Sequence, residues 1–335
     1  MKKICIELFT VLTILLLAGV PVQAATIIKI AVVMPEGSTW TNTLHEFANA
    51  VEKETAGDIA VKIYAGGISG DEVDVLRKMR VNRLHAGGFS GVGLGLVLPE
   101  IRVLEAPLLF NNYDEIDYVK EKMFAEFAAR FEEKGYVLLG FAEAGFVYLF
   151  SQRPMDSVAN VQNAKMWVWK GDRVAENFLE AFGVQGYPLQ LADVNTGLDT
   201  GMIDSFYSPP LASVAFQWYA RVRYMLDFPM VNSTGALLMT KRSFDQIKPE
   251  NRLIVSRLVR EYAAELVRLT RKDNAEALQV LEEAGIERVA PTPEQITSFR
   301  HSAQKNYEMS VPSLYSQELL DRIRGLIAEY RSKGE

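Results

Sequence analysis

The chain has 335 residues, with 36 lysines and arginines against 42 aspartates and glutamates and a formal net charge of −6. An acidic balance without a basic stripe argues against nucleic acid as a partner. The single cysteine is Cys5, so the rest of the chain can form no disulfide, zinc–thiolate site or cysteine nucleophile and must be stabilised by its core.

The N-terminal segment has the pattern of a secretory signal peptide. Lys2 and Lys3 precede an apolar run over residues 8–20, and small residues follow at Ala24. The run is shorter than the roughly 20 residues that a membrane helix needs. We therefore expect residues 1–24 to be removed on export to the periplasm, with an uncleaved N-terminal anchor as the alternative.

Hydrophobic periodicity then predicts a βαβ unit. Short apolar runs over residues 27–34 and 59–64 are typical of strands. Between them, Leu44, Phe47 and Val51 recur three and four residues apart, as on one face of a helix. Such units build parallel sheets with right-handed crossovers, so the unit indicates an α/β fold.

The same alternation continues along the chain. The further predicted strands cover residues 86–91, 137–151, 165–169 and 202–207, and the predicted helices cover residues 71–80, 114–134, 172–182, 192–200 and 211–220. From Pro249, which suits a first helical turn, to Gly285, a natural terminator, the pattern predicts one long helix. That helix would span roughly 50 Å, which is more than one domain of this size, so we expect it to cross two.

Catalytic and metal-binding motifs are missing from the sequence. His45, His85 and His301 are isolated, and there is no H-E-x-x-H pair and no G-x-S-x-G elbow. The glycine-rich residues 91–95 lack the register of a dinucleotide-binding loop and are interpreted as a turn. We expect no metal, no organic cofactor and no enzymatic activity.

Several motifs in order carry a family resemblance. They are a helix–strand segment over residues 47–70, the stretch PEI followed by EAPLLF within residues 99–110, and a passage over residues 182–209, which is the most specific of the three. Together they resemble the binding proteins of tripartite ATP-independent periplasmic (TRAP) transporters, over essentially the whole chain that follows the predicted signal peptide. The resemblance implies a small organic ligand and delivery to small and large membrane permease subunits.

The resemblance also implies the architecture. The expected fold class is the α/β, two-lobe periplasmic binding protein fold with interwoven domains, mixed sheets and a long domain-spanning helix. Lobe I would consist of residues 25–145 plus about 233–265, and lobe II of about 146–232 plus 266–335, with the helix over residues 249–285 crossing both. The ligand would bind in the cleft between the lobes, which would close around it.

Four cleft positions depart from the family's pattern. The position of the carboxylate-binding arginine is Trp167, a second arginine position is Val147, an asparagine position is Ser208 and an aromatic position is Leu191. An arginine fork matches a carboxylate with two parallel hydrogen bonds, so these replacements imply a cleft without the anion clamp. We therefore expect a neutral or largely apolar ligand.

Candidate ligand-binding residues combine these positions with residues at strand ends. They are Trp40, Phe89, Ser90, Phe146, Val147, Trp167, Trp169, Leu191, Tyr207 and Ser208. Trp167 and Trp169 share one face of a strand because side chains alternate, and Trp167 would stack on the ligand, although a plain core position is the alternative for both. Asp172 is interpreted as a helix N-cap, and Gln217 and Trp218 as packing residues.

Two other functions remain open at this stage. A periplasmic sensor subunit, which reports ligand occupancy to a membrane receptor, would use the same cleft. A secreted enzyme acting on a hydrophobic substrate would require a catalytic carboxylate in the cleft, for example Glu143 or Asp204.

Overall fold

The computed structural model describes residues 25–311 and 313–333. The predicted signal peptide lies outside these residues. Within the described ranges, no helix is both long enough and apolar enough to cross a membrane.

Strands and helices alternate along the described chain. The strands are β1 (Thr26–Ala31), β2 (Ile59–Tyr64), β3 (Ala86–Ser90), β4 (Tyr136–Ser151), β5 (Met166–Trp169), β6 (Gly186–Leu189), β7 (Ser205–Ser208), β8 (Tyr224–Thr240) and β9 (Glu287–Val289). The α-helices are α1 (Thr39–Glu54), α2 (Glu72–Arg80), α3 (Gly91–Val97), α4 (Tyr113–Glu133), α5 (Val158–Gln162), α6 (Arg173–Phe182), α7 (Val194–Asp199), α8 (Pro210–Ala215), α9 (Lys241–Asp245), α10 (Pro249–Glu283), α11 (Pro293–Ser310) and α12 (Gln317–Lys333). Short 3₁₀ helices cover Pro99–Glu105, Leu191–Asp193 and Trp218–Arg221.

The strands form one mixed sheet with two halves. Their order is β2-β1-β3-β8-β4-β7-β5-β6, and β9 pairs with β8. The pairs β1–β2, β1–β3, β5–β6, β5–β7 and β8–β9 are parallel, while β8 is antiparallel to β3 and β4, and β4 is antiparallel to β7. We call β2, β1 and β3, with the adjoining ends of β4 and β8, the first half, and the remaining strands the second half.

The long strands β4 and β8 run through both halves. Residues 136–142 of β4 pair with the C-terminal end of β8, which also pairs with β3, and residues 148–151 of β4 pair with β7. The chain therefore crosses between the halves on two adjacent strands, so the halves are interwoven as predicted. The predicted lobe boundaries remain a prediction.

Strand β8 is absent from the sequence-based assignment because it contains Pro229, which has no amide to donate to a sheet. The register with β4 jumps between Leu226 and Val231, so residues 227–230 oppose no β4 residue. This irregularity accommodates Pro229 within a strand.

Helix α10 spans both halves, which confirms the predicted long helix. It begins at Pro249 and ends two residues before Gly285, whose φ of 87° suits a terminator. Near its start, Tyr262 packs edge-on against Phe47 of α1 in the first half, at 6.0 Å between ring centroids. Near its end, Asn274 accepts a hydrogen bond from the Leu211 amide of α8.

Other predicted elements need correction. The glycine-rich residues 91–95 form the start of helix α3 and not a turn, because Ser90 caps the helix by accepting a hydrogen bond from the Val92 amide. The helix predicted over residues 192–200 is the shorter α7, which a 3₁₀ helix precedes. The helix predicted over residues 211–220 is the shorter α8, which a 3₁₀ helix follows. Helices α11 and α12 were not among the predicted elements, although the capping box of Thr292 and Gln295 marks the start of α11 in the sequence.

Candidate ligand-binding cleft

Two adjoining cavities lie where the halves of the sheet meet. The first, here the Arg102 cavity, is lined by the Pro99–Glu105 segment and α3 on one side and by β5, α6 and β7 on the other. The second, here the Glu72 cavity, lies against β1, β3 and the first turns of α1 and α2. Each has a volume of about 100 Å³, and Ser90 and Ser233 line both.

The polar centre of the Arg102 cavity is an arginine held between two carboxylates. Arg102 is 5 % exposed; its Nε lies 2.9 Å from Glu105 Oε2, and its Nη2 donates to Asp172 Oδ1 at 2.6 Å. The Tyr207 hydroxyl donates to the other Asp172 oxygen at 2.7 Å, and the Thr234 amide donates to Glu105 Oε1 at 2.8 Å. One guanidinium against two carboxylates leaves the cluster no positive charge for an anionic ligand.

Burial and neighbouring charges set the protonation of this cluster. Burial tends to lower the pKa of Arg102, but the charges of Glu105 and Asp172 raise it above its usual value. Burial raises the pKa of Glu105, against the opposing effect of Arg102. Burial and the Asp172 charge raise the pKa of Tyr207 well above its usual value, so Tyr207 remains a hydrogen-bond donor.

An aromatic wall adjoins the cluster. Trp169 and Tyr207 line the Arg102 cavity. Trp167 stacks on Tyr207 at 5.2 Å and on Trp169 at 6.3 Å between ring centroids, and Trp218 packs edge-on against it at 5.1 Å. Trp167 is 2 % exposed and its Nε1 donates to the Leu189 carbonyl, so it supports the wall without lining this cavity.

The Glu72 cavity combines apolar walls with two buried carboxylates, Glu143, which is paired with Arg271, and Glu72. The Glu72 side chain accepts hydrogen bonds from the Ser90 amide at 2.6 Å, the Ser90 hydroxyl at 2.9 Å and the Gly93 amide at 2.7 Å. A Cβ at Gly93 would lie 2.5 Å from Glu72 Oε2, which is closer than real Cβ contacts. Glycine at this position therefore permits the approach of the carboxylate to α3.

Contacts of Arg102 and of Asp71 cross the cleft between the halves, and those of Asp71 include a hydrogen bond from the Leu191 amide at 3.5 Å. The ion pair of Arg102 with Asp172 joins the segment before α4 to the start of α6. Asp71 caps α2 with one oxygen, and its other oxygen accepts a hydrogen bond from Trp169 Nε1 at 3.1 Å. These contacts hold the two sides of the cleft together.

Of the ten predicted ligand-binding residues, six line one or both cavities and four line neither. Those that line the Arg102 cavity are Ser90, Val147, Trp169 and Tyr207, and those that line the Glu72 cavity are Trp40, Phe89 and Ser90. Those that line neither cavity are Phe146, Trp167, Leu191 and Ser208. The Phe146 ring packs on Tyr113 at 4.8 Å, and Ser208 donates to the Pro209 carbonyl. The ligand-binding roles of all ten residues remain predictions.

Three further residues were interpreted from the sequence, Asp172 as a helix N-cap and Trp218 and Gln217 as packing residues. Asp172 accepts a hydrogen bond from the Ala175 amide, which confirms it as the N-cap of α6. Trp218 is 2 % exposed within an aromatic cluster, which confirms packing. Gln217 precedes Trp218 in a left-handed conformation, but it is exposed and lines neither cavity, so its interpretation as a packing residue is wrong.

Sequence reasoning missed Arg102, Glu105 and Glu72. Arg102 and Glu105 are the only charged residues in the run over residues 101–110, and charges three residues apart in an apolar run indicate a buried ion pair. The third member, Asp172, lies 70 residues further along the chain, and no local pattern connects it to them.

Comparison with known proteins identifies the family. The family described as bacterial extracellular solute-binding protein, family 7, matches residues 30–313. The chain belongs to this family. Among curated relatives of this solute-binding protein, the sialic acid-binding periplasmic protein of Vibrio cholerae is 20% identical over 312 residues, covering 90% of this chain and 94% of the relative. The ectoine/5-hydroxyectoine-binding periplasmic protein of Ruegeria pomeroyi is 23% identical over 248 residues, covering 70% and 73%.

Solved structures agree with the fold. A TRAP periplasmic solute-binding protein from Ralstonia eutropha with bound (S)-2-acetolactate has a TM-score of 0.84 at 20% identity, covering 90% of this chain and 99% of that one. The sugar acid-binding protein of Advenella mimigardefordensis in complex with galactonate has a TM-score of 0.85 at 20% identity, covering 91% and 98%. The predicted TRAP family and α/β fold class are therefore confirmed.

Proposed function

We propose that this solute-binding protein captures a small organic molecule in the cleft formed by the Arg102 and Glu72 cavities and delivers it to the small and large permease subunits of a TRAP transporter. The observation that carries the proposal is a cleft of two adjoining cavities between interwoven halves of one sheet. Membership of the family supports capture and release of the ligand without chemical change.

The charge of the cleft favours a ligand without a carboxylate, neutral or largely apolar. Arg102 is the only cation among the residues that line the two cavities, and it is already bound by two carboxylates. A buried carboxylate without a paired cation costs several kcal/mol because it loses its water without a compensating partner. We therefore expect this protein to select a different ligand from the relatives that bind sialic acid and galactonate.

A thermal-shift screen tests capture and selectivity together, because a ligand that binds the native state raises the unfolding temperature. We expect succinate, malate and sialic acid to leave the unfolding temperature unchanged, and neutral or largely apolar compounds of similar size to raise it. Mass spectrometry of the solute that co-purifies with the protein identifies the ligand directly. Strong stabilisation by the anions would contradict the selectivity while still supporting solute capture.

We also propose export to the periplasm, supported by the N-terminal sequence pattern and by the family. The intact mass of periplasmic material should correspond to a chain that begins at Ala25 or Thr26. Recovery of the full-length chain in membranes would contradict the cleavage.

A further inference from the structure

Glu72 is a buried carboxylate in the cleft without a cationic partner. It is 2 % exposed, and its contacts within the described residues are the amides and hydroxyl of Ser90 and Gly93. The other buried carboxylates that line the two cavities lie in ion pairs, namely Glu105, Glu143 and Asp172. Glu72 is therefore the buried carboxylate of the cleft whose charge no described side chain balances.

The neutral donors around Glu72 do not remove the cost of its burial. Burial raises the pKa of Glu72 to about 7, the nearby charge of Asp71 adds to the increase, and the hydrogen bonds from Ser90 and Gly93 oppose it. A buried charge is stabilised most effectively by an opposite charge in contact with it. A cation placed in the Glu72 cavity would supply that charge.

The cavity also contains an unused hydroxyl. Thr234 is 1 % exposed, and its Oγ1 has no hydrogen-bond partner among the residues that the structure describes. Thr234 lines the same cavity as Glu72, together with the aromatic residues Trp40 and Phe89. A buried polar group without a partner costs about 1–3 kcal/mol, and a ligand donor in this cavity would satisfy it.

No cation of the cleft competes for Glu72. Among all the residues that line one cavity or the other, Arg102 carries the positive charge, and it already contacts Glu105 and Asp172. Glu72 adds one more carboxylate to this set. The residues that line the cleft therefore carry more negative than positive charge, which repels an anion and attracts a cation.

We propose that the ligand carries a protonated amine, which binds in the Glu72 cavity between the Glu72 carboxylate and the Thr234 hydroxyl, while its apolar body extends into the Arg102 cavity. An ammonium group donates up to three hydrogen bonds, and charge-assisted bonds to a carboxylate are the strong ones. The rings of Trp40 and Phe89 supply apolar contact and cation–π attraction to the same group. This assignment rests on the proposed function and narrows its ligand to a largely apolar molecule with a cationic head group, which replaces the neutral alternative.

Matched triplets of compounds test the proposal. Each triplet has one apolar body, benzyl, cyclohexylmethyl or isobutyl, and carries an amine, an alcohol or a carboxylate as head group. We expect the stabilising compounds to be amines, each bound at least about tenfold more tightly than the alcohol with the same body, which corresponds to about 1.4 kcal/mol. Tighter binding of the alcohols or the carboxylates than of the amines would overturn the amine assignment and leave solute capture intact. The absence of binding by every class, with no co-purifying solute, would count against both proposals.

Variants separate a ligand contact from a structural role. Glu72→Gln should reduce the preference for amine over alcohol to about one while alcohol binding persists, because only the charge is removed. Glu72→Asp keeps the charge and should keep the preference, and Thr234→Val should weaken amine binding by removing the acceptor. The matched control is Glu115→Gln, which removes a buried carboxylate paired with Arg331 outside the cleft and should leave the preference unchanged. An amine preference that survives in both Glu72→Gln and Thr234→Val would overturn the proposal.

Discussion

Glu72 has a structural role in the fold and is also the residue that we propose contacts the ligand. Its three hydrogen bonds fix the start of α3 against α2, which positions Ser90 at the junction of both cavities. Those bonds favour the ionised form, whereas burial disfavours it more strongly. The carboxylate is therefore held in place by the fold and remains available to a cationic ligand.

Titration of Glu72 should appear in the stability of the ligand-free protein. Its pKa is about 7 in the folded state against a usual value of 4.5, so between these values the folded protein holds a proton that the unfolded chain has lost. The free energy of unfolding should therefore fall as pH rises through this window and level off above about 7. Glu72→Gln cannot ionise, so its stability relative to the wild type should increase over the same window, as measured by urea unfolding.

Glu115→Gln provides the contrasting result. Although burial opposes it, the hydrogen bond from Arg331 lowers the pKa of Glu115 in the folded state. Its stabilising effect is therefore complete above the usual pKa of a glutamate and is lost only at lower pH. The difference in stability between wild type and Glu115→Gln should stay constant from about pH 5 to pH 8. A constant difference for Glu72→Gln as well would contradict the buried, unpaired state of Glu72.

Helix α3 depends on two glycines that allow carboxylates to approach it. A Cβ at Gly93 would lie 2.5 Å from Glu72 Oε2 and 2.6 Å from Phe89 Cδ1, and a Cβ at Gly91 would lie 1.9 Å from Glu105 Oε2. Both carboxylates are themselves anchored by hydrogen bonds. The glycines of this helix therefore serve packing more than backbone freedom.

Gly93→Ala should destabilise the protein by about 1–3 kcal/mol, because the added methyl group displaces the Glu72 carboxylate or the Phe89 ring. Gly325→Ala is the matched control: Gly325 is exposed in α12, and a Cβ there would have no neighbour within 4 Å. That substitution should stabilise the protein by about 0.5–1 kcal/mol, because alanine is the better helix former. Chemical denaturation of both variants measures the difference, and equal effects would argue against the close approach at Gly93.

Periodic elements could be predicted from the sequence, whereas interrupted ones could not. Strand β2 has the predicted bounds, and α10 begins at Pro249 as predicted, because each has a regular pattern and clear end residues. Strand β8 was missed because Pro229 interrupts the pattern, and only its register with β4 shows how a strand tolerates it. Residues 91–95 at the start of α3 were interpreted as a glycine-rich turn without the register of a dinucleotide-binding loop, whereas these glycines allow Glu72 and Glu105 to approach a helix.

The cleft could be predicted only where a residue lies at a strand end or at a position known from the family. Trp169 and Tyr207 meet this condition and line the Arg102 cavity. Arg102 and Glu72 do not: Asp172 reaches Arg102 only through the crossing of the sheet halves, and Ser90 and Gly93, the partners of Glu72, are 18 and 21 residues away along the chain. Charge complementarity over such separations cannot be derived from local patterns.

At the scale of the whole molecule, the crossing strands are suited to a hinge. The register between β4 and β8 shifts at residues 138–140, 143–145 and 147–149, and Gly145 has a φ of 107°. Such irregularities bend and twist a strand locally, and those at residues 143–145 and 147–149 lie where the halves meet. We expect the contacts of Arg102 with Asp172 and of Asp71 with Trp169 to favour a closed arrangement of such a hinge.

Trp169→Phe should shift the ligand-free protein towards an open form. The substitution keeps an aromatic ring at the cavity but removes the indole N–H that donates to Asp71 across the cleft, while Asp71 still caps α2 through its other oxygen. Loss of an interaction present only in the closed state shifts the population towards the open state, so small-angle scattering should report a larger radius of gyration than for the wild type. Trp218→Phe is the control, because Trp218 packs within the second half against Phe206 and Trp167 and should leave the radius unchanged. If Trp169→Phe also leaves the radius unchanged, the cross-cleft bond does not control closure.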